Sequence, residues 1–338
     1  MKSPLFLLLA AYLSEAEEFL AMHSNGKTDG FFSFNSVRFT LSPDNEYDFI
    51  AVFNTVPKNQ VYTFPREKIV FFMMEPGIKP FHSFMYGFEN QQVHLFSPSH
   101  SQKPSHGYLG WSIPKSVIEL QNENPVEKTK RCSAISSKTI ILPGHYQRLA
   151  YLTELAKSEI SFDLFGRGFK TMQNKLEALI PYQYSITIEN GAIPHYFTEK
   201  INDALLCWTI PFYVGAPNIH SYFPEEAVVH LPENDAKLGK EIITSVLQDP
   251  KDYSKRIDAL HEARKRIIED YNPLAKIAQV VSKIDVESDY SDSFKLENKD
   301  ISVWKRRLFS NYLKVKHQVK IKAKTEIDFG LLESKIPN

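Results

Sequence analysis

Apolar residues along this chain fall mostly in short solid runs separated by polar turns, and only in places at helical spacing. The runs at 37–41 (VRFTL) and 48–53 (DFIAVF) predict strands, with Pro43-Asp44-Asn45 as the turn between them. The run at 69–74 (IVFFMM) is apolar throughout and stops at Glu75-Pro76-Gly77. A solid run ending in a turn is the form of a central parallel strand, covered on both faces. The opening run, 4–13, is apolar for only about ten residues, where a membrane-spanning helix needs about twenty. Lys2 precedes it, as in a signal peptide, but Ser14-Glu15-Ala16-Glu17 follows without a small-residue cleavage pattern. A first buried strand or helix is the expectation.

The rhythm is clearer in the second half. Strands are predicted at 138–142, 160–165, 184–188, 209–214 and 227–231. Leu149, Leu152, Leu155 and Ala156 place a helix over 146–157, and Thr198 is a suitable N-cap for a helix over 198–206. Further amphipathic helices fit 239–247 and 253–271. Strand–helix–strand alternation implies a parallel sheet with helices on both faces. Two such stretches predict two Rossmann-like α/β domains facing across a cleft: 1–135, 136–290, and a basic tail over 291–338. Ligands of such sheets bind beyond the carboxyl ends of the strands. That rule selects Glu75, the Gly166-Arg167-Gly168 turn, the 189–198 loop and the 215–218 loop. No internal repeat, P-loop or GxGxxG is present in the sequence.

Composition adds limits. Of 338 residues, 43% are hydrophobic and 24% charged, which suits a folded chain and excludes a largely disordered one. Forty basic side chains balance forty acidic ones, so no global field favours nucleic acid. The stretch 301–324 is the exception, with eight Lys and Arg, no acidic residue, and Trp304 and Tyr312 among them. Such a segment suits an anionic membrane surface; the alternatives are a solvated tail or a helix folded back on the core. Two cysteines make neither a disulfide framework nor a zinc site. A reducing, cytoplasmic setting follows, with peripheral membrane contact through 301–324.

The densest pattern lies in 184–218, YSITIENGAIPHYFTEKINDALLCWTIPFYVGAPN. It runs from an apolar strand into Glu189-Asn190, then Tyr196-Phe197-Thr198-Glu199-Lys200, a helix, and Pro211 through Gly215 to Pro217. Upstream, Arg148 and Tyr151 sit on one helix, and the next strand ends in Gly166. This order and spacing resembles the donor-binding signature of family 10 glycosyltransferases, the α-1,3/4-fucosyltransferases. The resemblance is specific from about 142 to 231 and thin before that, where Met74-Glu75-Pro76 resembles the family's Glu-Ser-Pro turn. Two positions depart: residue 191 is Gly where the family often has Ser, and Phe212 replaces Val or Ile. They leave open whether the donor sugar is fucose.

The resemblance implies an inverting transfer of L-fucose from GDP-fucose to a glycan hydroxyl, α-1,3 to GlcNAc or Glc, on an oligosaccharide or glycolipid acceptor. It also implies a general base on the acceptor side, for which Glu75 is the candidate, with His82, Glu89, His106 and Asp48 behind it. Donor-binding roles fall on Arg148, Glu189, Asn190, Tyr196, Thr198, Glu199, Lys200 and Gly215. The residues alone support part of this. A diphosphate leaving group needs cations and N–H donors; Lys200 in the first turn of a helix and a bidentate Arg148 supply both. Taken singly, Glu199-Lys200 also reads as a solvated first turn, and Arg148 as a surface helix residue. There is no Asp-x-Asp before a turn, so no obligatory metal cofactor is expected, with Mn or Mg stimulatory at most. The competing readings are a same-fold transferase using another nucleotide sugar, and a non-catalytic nucleotide-sugar or glycan binder.

Overall fold

The computed structural model describes residues 3–10, 16–54, 56–73, 94–97, 110–140, 143–284, 293–297 and 327–337. The chain forms two units. One holds Met1–Gly110, Pro114–Glu123 and Ile267–Ile301; the other holds Trp111–Ile113, Asn124–Arg266 and Ser302–Asn338.

The first unit is built on a sheet of β1 (Leu5–Ala10), β2 (Lys27–Thr28), β3 (Phe31–Phe34), β4 (Val37–Thr40), β5 (Phe49–Phe53), β7 (Ile69–Phe72) and β8 (His94–Phe96), in the order β2-β3-β4-β1-β5-β7-β8. From β4 to β8 all pairings are parallel, and β2 and β3 add an antiparallel edge. The opening apolar run is the central strand β1, buried over Leu5–Leu9. β5 and β7 are buried at every position, as strands covered on both faces must be. A second, two-stranded antiparallel sheet joins β6 (Val61–Pro65) to β14 (Ser293–Glu297).

The second unit carries a wholly parallel sheet of β9 (Lys130–Ile135), β10 (Asp163–Phe165), β11 (Tyr182–Ile188), β12 (Ile210–Val214) and β13 (Val229–His230), in the order β10-β9-β11-β12-β13. Counted within the unit, this is the 2-1-3-4-5 order of flavodoxin-like doubly wound sheets. The parallel strands of the first unit, β4-β1-β5-β7-β8, follow the same order. Both units are therefore Rossmann-like α/β folds, as the alternation of elements predicts.

Two expectations need correcting. The strand expected at 138–142 is instead β9, Lys130–Ile135, which pairs with neighbours on both sides. Its sequence, KRCSAI, hides Cys132, Ser133 and Ala134 without a solid apolar run, whereas Ile140 is 40% exposed. The division at 135 and 290 moves accordingly, since β9 belongs to the second sheet and 267–301 to the first unit. Nor is 291–338 simply a tail. Ser293–Glu297 is β14, and a helix at Phe329–Glu333 packs on the Pro143–Ala156 helix of the second unit. The basic segment 301–324 lies outside the described residues. Among those described, no helix is long and apolar enough to cross a membrane.

Candidate functional site

In a 2-1-3-4-5 sheet the strand order reverses between the first and third strands, and the crevice beyond their carboxyl ends is the expected ligand position. Here that point lies between β9 and β11. A cavity of about 250 Å3 sits there, walled by Ser136 and Ser137 after β9, Arg148, the Gly166-Arg167 turn, Lys175, Glu199 and Lys200. This is far more than the ~30 Å3 share of one water molecule, so a polar ligand group can enter.

Arg148 comes from the Pro143–Ala156 helix and is only 7% exposed. Its Nε donates to Ser136 Oγ at 3.0 Å and its Nη1 to Asn190 Oδ1 at 3.0 Å, both neutral acceptors. Among the described residues it has no ion-pair partner. Burial lowers its pKa, and the negative field of Glu189 partly restores it. A buried guanidinium without a paired anion is costly, so this side chain calls for an anionic ligand. The close fit of its helix depends on Gly144. A Cβ there would stand 1.9 Å from the Asn190 carbonyl oxygen.

Glu189 and Lys200 form the next layer. Glu189 directly follows β11, is 4% exposed, and accepts from the Thr198 amide (2.8 Å), the Thr198 hydroxyl (3.0 and 2.9 Å) and Lys200 Nζ (3.1 Å). Thr198 caps the Glu199–Leu206 helix, and its Oγ1 also accepts from Lys200 Nζ at 2.9 Å. Burial pulls the Lys200 pKa down, but Glu189 and Glu199 together outweigh it and the net shift is upward. The ammonium therefore stays charged at neutral pH. Gly215 is required beside them, since a Cβ would meet the Tyr213 hydroxyl at 2.2 Å and Glu189 Cγ at 2.8 Å. His145, one turn before Arg148, is pushed down to about 4 by burial, with Arg148 and Lys200 adding repulsion. Its imidazole is therefore neutral at pH 7.

Among the donor-site candidates, the structure brings Arg148, Glu199 and Lys200 to the cavity wall, with Glu189, Asn190, Thr198 and Gly215 directly behind. Tyr196 is buried at 4% and is not part of the wall; its amide donates to the Ile193 carbonyl at 3.1 Å. The Gly166-Arg167 turn, selected by the rule of carboxyl strand ends, also lines the cavity, whereas sequence reasoning passed over Ser136, Lys175 and Asp203. Ser136 could have been found from the same rule, given the right position for β9. Glu75 lies outside the described residues, as do His82, Glu89 and His106. Asp48 is described and is not a base candidate. Its Oδ2 accepts from the Leu5 amide at 2.8 Å, at the amino ends of β1 and β5, away from the carboxyl ends where ligands bind. Among the described residues, no group of three or more His, Cys, Asp or Glu is placed to share a metal ion.

A doubly wound parallel sheet with a buried arginine and further cations at its switch point is an α/β domain suited to an anionic ligand. Sequence comparison narrows this: residues 126–265 match the model of glycosyltransferase family 10 (fucosyltransferase), C-terminal. A fucosyltransferase-like protein of Arabidopsis thaliana is 33% identical over 131 residues, covering 37% of this chain and 24% of the relative. The 4-galactosyl-N-acetylglucosaminide 3-α-L-fucosyltransferase 9 of Bos taurus is 27% identical over 147 residues, covering 40% of this chain and 38% of its own length. The GDP-fucose protein O-fucosyltransferase 3 of Danio rerio is 28% identical over 109 residues, covering 32% and 23%. The chain thus spans well under half the length of these curated relatives. Among solved structures, an α1,3-fucosyltransferase with GDP aligns at a TM-score of 0.48 and 17% identity, over 85% of this chain and 92% of that one.

Proposed function

We propose that this protein is an inverting glycosyltransferase that moves L-fucose from GDP-fucose to a hydroxyl of a glycan. The observation that carries this reading is the buried Arg148, held by neutral partners at the switch-point cavity with Lys200 beside it. A nucleoside diphosphate is the anion such a site suits, since the arginine offers a fork and the helix start adds N–H donors. In the reaction, the bond from the anomeric carbon to the β-phosphate oxygen breaks as an acceptor oxygen attacks from the opposite face. Arg148 and Lys200 stabilise the charge that builds on the departing diphosphate, the role metal ions fill in other transferases. No divalent ion is then required, and chelation by EDTA leaves turnover standing.

The base that removes the acceptor proton is assigned to Glu75 on the strength of the family resemblance. The matched relatives support a common donor more than a common acceptor, because one is named for an N-acetylglucosaminide and another for a protein. An α-1,3 linkage to GlcNAc or Glc is the finer form of the proposal.

Calorimetric titration with GDP-fucose, GDP-mannose and a UDP-sugar, followed by linkage analysis of the product, tests the reading. GDP-fucose should bind tightest. Arg148→Ala and Lys200→Ala should each weaken GDP at least about tenfold, or about 1.4 kcal/mol. Glu75→Gln should abolish transfer and leave GDP-fucose binding in place. Undiminished GDP affinity in both cation variants removes the donor site; turnover in the Gln variant removes the base.

A further inference from the structure

Glu189 stands behind the cavity wall, not on it. Its side chain is fully shut off from solvent, whereas that of its partner Lys200 is 24% exposed. Both carboxylate oxygens are taken: Oε1 by the Thr198 amide and hydroxyl, Oε2 by the same hydroxyl and by Lys200 Nζ. A carboxylate so placed is not open to sugar hydroxyls. Hydrogen bonding alone does not call for a charge here, since a glutamine could accept from the Thr198 amide through its own carbonyl oxygen. Burying an ionised carboxylate costs several kcal/mol unless a cation meets it, and Lys200 is that cation. The field of Glu189 also reaches further. Burial lowers the pKa of Arg148, Lys175 and Lys200, and Glu189 acts against that at each of the three.

From this geometry we infer that Glu189 is a positioning residue, which does not touch the donor and acts by fixing Lys200 at the cavity wall as a charged group. This rests on the nucleotide reading above and deepens it. Two bonds locate the ammonium, one to Glu189 Oε2 at 3.1 Å and one to Thr198 Oγ1 at 2.9 Å. Thr198 is held by the same carboxylate, so Lys200, its helix cap and the end of β11 are tied together. Without Glu189, burial would act on Lys200 with Glu199 in support and Lys175 in opposition. On the Pro143–Ala156 helix, Arg148 carries the same sign as Lys200, and His145 is neutral. The lysine pKa then falls, and the ammonium is lost as pH rises through the lower value.

Calorimetric titration of the whole chain with GDP, at about pH 7 and about pH 8.5, tests this. The unaltered protein keeps its ammonium over that range, and its affinity should change less than about threefold. Glu189→Gln should weaken GDP about tenfold at the lower pH and lose several-fold more at the higher. Glu189→Asp keeps the charge and should show no such added loss. The double variant Glu189→Gln/Lys200→Ala should bind GDP within about twofold of Lys200→Ala, since a residue that acts through Lys200 has nothing to act on once it is gone. This variant removes both partners of the buried pair, so the comparison holds even where Glu189→Gln alone does not fold. If the double variant binds clearly more weakly than Lys200→Ala, Glu189 works by another route and the inference is wrong. Equal pH slopes in Glu189→Gln and the unaltered protein overturn it as well. If Lys200→Ala and Arg148→Ala both bind GDP as the unaltered protein does, the nucleotide reading itself fails.

Discussion

His23 shows how a single buried group sets a pH response. It is fully buried, its Nδ1 bonded to the Phe19 carbonyl at 2.8 Å, and Asn272 donates to its own carbonyl at 2.8 Å. Burial pushes its pKa down to about 4, against which the Phe19 carbonyl acts only partly. The folded value lies below the unfolded one near 6.5, so acid protonates the unfolded chain first. Stability is then lost as pH falls from about 6.5 to 4, at up to about 1.4 kcal/mol per pH unit, and the loss levels off below that. Urea midpoints between pH 7 and 4 should fall more steeply in the unaltered protein than in His23→Gln; parallel slopes would show that His23 does not titrate against folding. The same scale decides what could be read from sequence. Arg148, Glu199 and Lys200 stand out because their neighbours in the chain form a pattern. Lys175 does not, because Asp203 lies 28 residues away and that partner's other donors come from Ser112 and Ile113, 91 and 90 residues from it.

Strands and helices follow the apolar pattern wherever burial is complete. β5, β7 and β12 are solid runs in sequence and are buried throughout in the structure. β9 escapes because its inward positions are small, Cys132, Ser133 and Ala134, and its burial comes from neighbours rather than from its own bulk. The polar stretch that precedes it hides a structural part as well. Lys128 Nζ donates to the Cys207 carbonyl at 2.6 Å and the Ile180 carbonyl at 2.8 Å, so it closes the carboxyl ends of two helices. Helix placement also governs the site. Gly144 lets the Pro143–Ala156 helix press against the Asn190 backbone and aims Arg148 at Asn190 Oδ1. Gly144→Ala must move that helix or the loop, at about 1–3 kcal/mol for an overpacked contact. Its GDP affinity should fall about tenfold, because the arginine loses its aim. An Ala variant with unchanged stability and affinity would show that the contact has room.

Across the whole molecule, the repeated 2-1-3-4-5 order was open to inference only as two α/β stretches, since strand order depends on pairings far apart in the chain. The unit boundaries failed for the same reason. Short elements near the end of the chain return to units formed much earlier, and no local pattern announces it. The segment 327–337 is the strongest instance. β10 is an edge strand, and its Leu164 amide donates to the Lys335 carbonyl at 2.8 Å, so this segment covers an edge that would otherwise stay open. Leu332 is fully buried, Lys170 Nζ donates to the Pro337 carbonyl at 3.1 Å, and Lys138 pairs with Glu333. Burial of one leucine is worth about 1.5–3 kcal/mol and the edge hydrogen bond about 1, while the exposed ion pair adds little. A chain ended at residue 326 should therefore lose about 2.5–4 kcal/mol from the second unit, read as a lower urea midpoint. Leu332→Ala separates packing from mere length, since it keeps every residue and should account for most of the loss. If the shortened chain falls and Leu332→Ala does not, the edge hydrogen bond rather than the buried leucine anchors the segment. If neither changes the midpoint, residues 327–337 are a tail after all.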